Sequence, residues 1–436
     1  MKLPYRYAPL ALSALLLGGC AGFSTDGGLT AVSALTQERT GLAVQGADDK
    51  AARALLEQAL SADGAVRLAL MNNRGLKADL AELGIAEAEL VQAGRMRNPG
   101  FSFSRLRGGD GEIDRGITFD LAGLLTLPLR SGIARERFEQ VKLQAAAQAV
   151  QLAYETRRAY FNAVAAEQGV AFMERAASAA QAGAELAGQM ARAGNWSRLD
   201  QAREEVFYAD ATTQLARARL AATAARERLT RLLGLTGFTL PERLPDLPVS
   251  LQEGADSEAQ AMAQRLDIQI ARRAVEASAL EVNRAGGVVN VLDAGYLGKS
   301  AGGQPRENGY QISLELPLFD WSGARKAQAG ALHRQAVERA ADTALRASSE
   351  VRLAHANYQG SYQLARHYRD QVVPLRKKIS DEVLLRYNGM LASVFELLAD
   401  AREQIASVNT AIETQRDFWI AQTDLQAAIN GGQSAP

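Results

Sequence analysis

The stretch RAGNWSRLDQAREE occupies residues 192–205, and RYNGMLASVFELLADAREQ occupies residues 386–404. Each carries a Gly, then a Ser, an acid three residues after the Ser, and an Ala-Arg pair. Gly194 and Gly389 suit the left-handed conformation that closes a helix. Ser197-x-x-Asp200 and Ser393-x-x-Glu396 read as N-terminal caps of a returning helix. The second is a full capping-box pattern and the first its Asp variant. The same turn chemistry written twice predicts two helical hairpins, one in each half of the chain.

Working outward from the turns, the same order of elements recurs on both sides. Helical character runs from Ala51 to Met96 with a break expected at Asp63-Gly64, and stops at Asn98-Pro99-Gly100. FSFSRLR from Phe101 then alternates, the polar loop GGDGEID follows, and GITFDLAGLLTLPL from Gly116 alternates again up to Pro128. Ile117, Phe119 and Leu121 share one face of that second strand. A helix from Ser131 to Arg192 and another from Arg198 to Leu233 complete the first half. The second half repeats this plan. A helix is expected over Ser257 to Ala285, a break at Gly286-Gly287, and two strands with Tyr310, Ile312, Leu314 and Leu316 on one face, closed by Pro317. Helices from Gly323 to Tyr387 and from Ser393 to Ile429 follow.

The offsets support a duplication. Leu90 to Leu280 is 190 residues, Pro128 to Pro317 is 189, Gly194 to Gly389 is 195, and Asp200 to Glu396 is 196. The growth is two helical turns, which keeps the same face inward in a coiled coil. The organisation is therefore a first repeat 51–250 with hairpin 101–127, a second repeat 251–430 with hairpin 288–317, and a tail 431–436, preceded by a segment 1–19 read below as a signal and a tether 20–50 whose lipidation the lipobox resemblance below implies.

Composition fits long helices packed closely. Ala is abundant, aromatic residues make up only 6% of the chain, and Lys plus Arg balance Asp plus Glu at 49 each. A phosphate-binding surface is not advertised. The start has Lys2 and Arg6, an apolar run from Ala8 to Leu17, and the chain's sole cysteine, Cys20, after Leu17-Gly18-Gly19. This is a secretory signal ending in a stretch that resembles the bacterial lipobox. Ala21 follows, not an Asp that would suggest retention at the inner membrane. No intrachain disulfide is possible. After Cys20 no run of 18 apolar residues exists, so no spanning helix is expected.

Chemistry is sparse. His333, His355 and His367 all fall in one predicted helix without metal-binding spacing. There is no nucleophile motif, phosphate-cradling loop or isolated carboxylate pair, so no enzyme, cofactor or metal is expected. Tyr154, Tyr160 and Phe161 read as helix-packing residues, and Trp321 as either a membrane-interface aromatic or packing at the junction of strands and helices. Two hairpins leave open strand edges that a membrane does not tolerate, and oligomerisation is the remedy. Three copies would give twelve strands, an even number in the range of known barrels.

Together these features resemble the TolC-type outer-membrane efflux channels, lipoprotein subgroup. The carriers are Cys20, Asn98-Pro99, LPLRSGIARERFEQ from Leu127, LPLFDWSGARKAQ from Leu316, RLLGL from Arg231, and the two turns. The resemblance covers essentially the whole mature chain. It implies a mixed fold: a long antiparallel coiled-coil α-barrel plus four strands per chain in a homotrimeric twelve-stranded β-barrel, held in the outer-membrane lipid. It further implies a periplasmic adaptor and an inner-membrane pump as partners. Arg192, Gly194, Asn195, Trp196, Ser197, Tyr387, Gly389 and Ser393 then become candidates for adaptor docking, and Asp200 and Glu396 candidates for the gate, with Arg203 or Arg402 as partners. YNGMLASVFELLADAR resembles relatives serving metal pumps, which makes the cargo a heavy metal or a drug. The alternatives are a channel for type I protein secretion and a non-channel periplasmic scaffold. Two departures stand out: one extra residue separates Gly389 from Ser393, and Val288-Val289 replace the Asn-Pro of the first repeat.

Overall fold

The computed structural model describes residues 22–44, 46, 48–107, 111–251, 256–285, 291–301, 304–315 and 321–431. The signal segment, Cys20, Val288-Val289 and Leu316-Pro317 lie outside them. The elements are helices α1 Leu29–Thr40, α2 Asp49–Leu56, α3 Ala62–Asn72 and α4 Arg74–Ala93, strands β1 Gly100–Leu106 and β2 Glu112–Asp120, and helices α5 Leu121–Arg192 and α6 Arg198–Leu233. The second half supplies α7 Ser257–Gln264, α8 Leu266–Ala285, β3 Leu292–Ala301, β4 Glu307–Leu314, α9 Gly323–His367, a π-helical turn Tyr368–Val372, α10 Val373–Asn388 and α11 Val394–Asn430. The long helices and four strands expected from the sequence are therefore present, two strands in each half.

Several boundaries differ from the sequence reading, each for a local reason. The segment 20–50 is not only a tether, because α1 lies within it. Asp26 accepts the Gly28 and Thr30 backbone N–H groups at 3.3 and 3.0 Å and starts this helix. Hydrogen bonds from the Thr30 side chain and then from the Thr30 and Gly28 backbone hold its carboxyl down to about 2. Asp63-Gly64 is no break. Ser61 caps α3 there through the Gly64 N–H, and the interruptions fall at Glu57–Ser61 and at Asn73. The second strand ends at Asp120 rather than Pro128, so Leu121 begins a helix. Asp120 Oδ1 accepts the Gly123 N–H at 2.6 Å, an N-terminal cap. Pro128 sits inside α5, where a proline normally deprives the carbonyl four residues back of its donor. Around it Thr126 Oγ1 donates to the Ala122 carbonyl at 2.9 Å and Ser131 Oγ to the Pro128 carbonyl at 3.0 Å. The helix expected over 257–285 is two, parted at Arg265. The π-helical turn interrupts the one expected over 323–387.

The chain divides into two compact units, one from Met1–Val32, Asp79–Ala145 and Asp267–Ala344, the other from Ser33–Ala78, Ala146–Leu266 and Leu345–Pro436. The first holds the sheet. All four strands are antiparallel in the order β1-β2-β3-β4. The two repeats join at β2–β3, from Glu112 opposite Ala301 to Asp120 opposite Asp293. Below the strands, Arg273–Glu136 at 3.0 Å and Arg137–Glu281 at 2.6 Å tie α8 to α5. His333 Nδ1 lies 3.0 Å from Ser278 Oγ, between α9 and α8.

The second unit has the alanine-rich core. Ala146, Ala149, Val150, Ala153, Ala163 and Val164 of α5 are all buried, as are Ala65, Val66, Leu68 and Ala69 of α3. Small side chains let these helices approach closely. The aromatic residues expected to pack do so: Tyr154 donates to the Arg39 carbonyl at 2.9 Å, Tyr160 to the Leu60 carbonyl at 2.9 Å, and Phe161 stacks on Trp419 at 5.4 Å. Burial pushes the Tyr160 phenol up to about 12. The duplication reappears here in matching breaks. Asn73 (φ −59°, ψ 123°) and Arg265 (φ −59°, ψ 128°) interrupt their helices alike. Asn73 Nδ2 donates to the Leu232 carbonyl at 3.0 Å, and Arg265 Nη1 to the Ala428 carbonyl at 2.7 Å. The helices α6 and α11 then end in left-handed glycines, Gly234 and Gly431.

Candidate functional site: two turns and a two-faced sheet

The first turn follows the sequence reading. Gly194 has φ 77°. Its N–H reaches the Ala191 carbonyl at 3.1 Å, and the Asn195 N–H reaches the Met190 carbonyl at 2.9 Å, the two bonds of a Schellman ending. Ser197 Oγ then accepts the Asp200 N–H at 3.1 Å and caps α6. The short Asp200 side chain does not return to the Ser197 N–H. It takes the Ser197 hydroxyl at 2.6 Å and Arg203 at 3.3 Å.

The second turn departs in one position. Gly389 is not left-handed (φ −81°), and Met390 is, at φ 61°. The ending has slid by one residue: the Met390 N–H reaches the Tyr387 carbonyl at 3.0 Å and the Leu391 N–H the Arg386 carbonyl at 2.8 Å. The extra residue between Gly389 and Ser393 absorbs this shift, so the capping box remains intact. The Ser393 N–H donates to Glu396 Oε2 at 3.0 Å, and Ser393 Oγ accepts the Glu396 N–H at 3.2 Å. Met390 and Leu391 stand almost fully in solvent.

The two turns meet. Trp196 stacks on Phe395 with ring centroids 4.5 Å apart and 13° between planes. Behind them Arg402 donates to Glu204 at 2.6 Å, with its guanidinium 4.3 Å over the Phe207 ring. Glu204 is only 3% exposed, and its Oε2, like Asp400 Oδ2, takes no hydrogen bond among the described residues. Thus Arg402 serves Glu204 and not Glu396, correcting the expected pairing. Glu204 was missed in the sequence, though it lies one turn beyond Asp200. Phe395 was missed as well, and a lone aromatic beside a capping Ser was its only signal. Tyr387 and Arg192 flank the turns. Among the described residues no three His, Cys, Asp or Glu side chains gather as metal ligands.

In the other unit, strand pairing sorts the side chains, because directly opposed residues share a face and successive residues alternate. Phe101 opposes Ile117, Ile117 opposes Tyr296, and Tyr296 opposes Tyr310. That face also carries Phe103, Phe119, Ile312 and Leu314, so the apolar band expected from Ile117, Phe119, Ile312 and Leu314 is real, without Leu121. The other face carries Ser102, Ser104, Thr118, Gln311 and Ser313. Its charges are Glu112, Asp114, Asp120, Asp293 and Glu307 against Lys299 alone, which pairs with Glu112 at 3.0 Å. Among the described residues, strands β1 and β4 each leave one edge without a partner.

No family model and no curated protein matches the chain by sequence. Solved structures do match. The outer membrane protein VceC of the bacterial pathogen Vibrio cholerae shares 15% identity over 85% of this chain and 96% of its own, with a TM-score of 0.71. The CmeC outer membrane channel of Campylobacter jejuni shares 16% over 85% and 86%, with a TM-score of 0.68. The MtrE outer membrane channel of Neisseria gonorrhoeae, in its open state, shares 18% over 85% and 89%, with a TM-score of 0.70. The fold is that of these outer-membrane channels. Among the described residues no helix is long and apolar enough to cross a membrane.

Proposed function

We propose that this chain is the exit duct of a tripartite efflux system, a homotrimer whose twelve strands close a barrel in the outer membrane. The observation that carries the reading is the two-faced sheet with open edges. An outward face of Phe101, Ile117, Phe119, Tyr310 and Ile312 suits lipid, and the acidic face suits a water-filled pore favouring cations. Two unpaired edges per chain are intolerable in hydrocarbon unless neighbouring copies pair with them. A soluble periplasmic scaffold has no use for such a band. Trp321, 66% exposed, fits an interfacial aromatic. The duct conducts its cargo, a heavy metal or a drug chosen by the inner-membrane pump, without transforming it.

In this reading the paired turns are the periplasmic end. Arg192, Gly194, Asn195, Trp196, Ser197, Tyr387, Gly389 and Ser393 form the adaptor-docking surface, and Asp200 and Glu396 would ring the closed end. The exposed Met390 and Leu391 support docking there, since apolar side chains held in solvent on a rigid turn favour a partner. Light scattering of a detergent extract should return the mass of three chains, with cation-preferring conductance in planar bilayers. A monodisperse monomer would remove the barrel. Cys20, read from the sequence, anchors the chain, and Cys20→Ser should abolish labelling by a fatty-acid analogue. Undiminished labelling would show that Cys20 is not the acceptor.

A further inference from the structure

The lipid-facing side of the sheet, as read above, is not uniformly apolar. Nearest the helices it shows Leu292, Leu314, Phe119 and Ile312, then the row Phe101, Ile117, Tyr296 and Tyr310. Toward the hairpin loops the chemistry changes abruptly. The next row is Phe103, Arg115, Gly298 and Asn308, followed by Arg105, Ile113 and Ser300, and Arg306 projects from the β3–β4 loop. The strands place no carboxylate on this face. Among the described residues Arg105, Arg115 and Arg306 form no ion pair.

A cavity of about 310 Å³ opens at this boundary. Its apolar wall is Phe101, Ile117 and Tyr296, and its polar rim is Arg115, Arg306 and Asn308. It exists because Gly298 puts no side chain at the centre of its row. A Cβ there would find only Asn308 Oδ1 at 3.5 Å and the Arg115 carbonyl at 4.0 Å.

An arginine on a lipid-facing wall is costly at mid-membrane and costs little at the interface. Two arginines at one rim, without carboxylate neighbours, are best accommodated where anions are supplied. Guanidinium forks match phosphate oxygens. The aromatic and aliphatic wall directly below matches an acyl chain. We propose that this cavity binds a phosphate-bearing glycolipid of the outer leaflet, its phosphate held by Arg115 and Arg306, a sugar hydroxyl by Asn308, and an acyl chain laid over Phe101 and Ile117. The proposal rests on the sheet being the membrane wall.

The test is native mass spectrometry of the full-length detergent-solubilised protein, titrated with phosphorylated lipid A, with its dephosphorylated form, and with sodium phosphate as competitor. The phosphorylated lipid should bind roughly tenfold or more tightly than the dephosphorylated one. Arg115→Gln combined with Arg306→Gln should erase that preference. Gly298→Leu should weaken binding with every charge in place, and Asp293→Asn, on the opposite face and outside the cavity lining, should change nothing. Equal binding of the two lipid forms, or variants that bind like the parent, would overturn the site. Displacement by inorganic phosphate alone would make it a site for a soluble anion and overturn the lipid. Each preparation is also scored for trimer mass and conductance. A conducting trimer that shows no lipid preference defeats only this proposal, whereas absence of a trimer defeats the channel reading with it.

Discussion

At the scale of single residues the two turns teach more by their difference than by their likeness. A left-handed residue with a Cβ costs about 1–2 kcal/mol, and glycine avoids that cost. Gly194 holds the left-handed place at φ 77°, while in the second turn Met390 holds it at φ 61° and Gly389 stands beside it at φ −81°. The two glycines therefore answer alanine with opposite signs. Gly194→Ala should destabilise by about 1 kcal/mol or more. Gly389→Ala meets nothing closer than 3.5 Å and should be neutral or stabilise by up to about 1 kcal/mol, through a less flexible unfolded chain. Thermal unfolding of the solubilised protein reads both, and equal losses would mean that the one-residue slide of the second turn is wrong. Met390 keeps its strained place with its side chain 94% exposed. That is the kind of local cost found where a side chain is held out for a partner.

At the scale of elements the duplication keeps geometry and changes the residues that make it. Asn73 and Arg265 break their helices with nearly the same dihedral angles and reach carbonyls at the ends of α6 and α11, but one does so with an amide and the other with a buried charge. Arg265 is 2% exposed and also holds Glu350 at 2.8 Å. Arg265→Ala should therefore cost about 3 kcal/mol, because a carbonyl and a carboxylate lose their partner together. Asn73→Ala should cost nearer 1 kcal/mol, the size of a neutral hydrogen bond. Equal shifts in melting temperature would deny the charged tie its larger share. These breaks were not legible in the sequence, since neither position carries Gly or Pro and both depend on carbonyls more than a hundred residues away. The long helices, the hairpins and the caps were legible, because periodicity and capping are local. Pro128 misled for the opposite reason. A local stop signal did not end the helix, which starts at Leu121 behind the Asp120 cap and runs on through Pro128.

At the scale of the whole molecule, the question is what holds the paired turns together and what each carboxylate there contributes. Glu396 completes a capping box, and Asp200 holds the hydroxyl of the capping Ser197, in caps worth about 1 kcal/mol each. Asn and Gln keep the oxygen that a cap needs and remove the charge. Asp200→Asn and Glu396→Gln should therefore leave melting nearly unchanged. If the trimer gathers these acids into rings, they should also lower cation preference or raise conductance in planar bilayers. Glu204 is a different case. It is buried, it receives Arg402 from the other hairpin at 2.6 Å, and its second oxygen has no hydrogen bond among the described residues. A buried pair with an unsatisfied atom is costly to form and costly to break, so it suits a contact with two arrangements. Glu204→Gln leaves Arg402 without its counter-charge over Phe207 and should loosen one hairpin from the other. Melting temperature should fall and conductance rise together, whereas the cap variants leave melting nearly unchanged. If Glu204→Gln conducts and melts like the parent, the tie between the hairpins is not what closes the end. If Asp200→Asn and Glu396→Gln leave both selectivity and conductance untouched, those two acids serve only the turns.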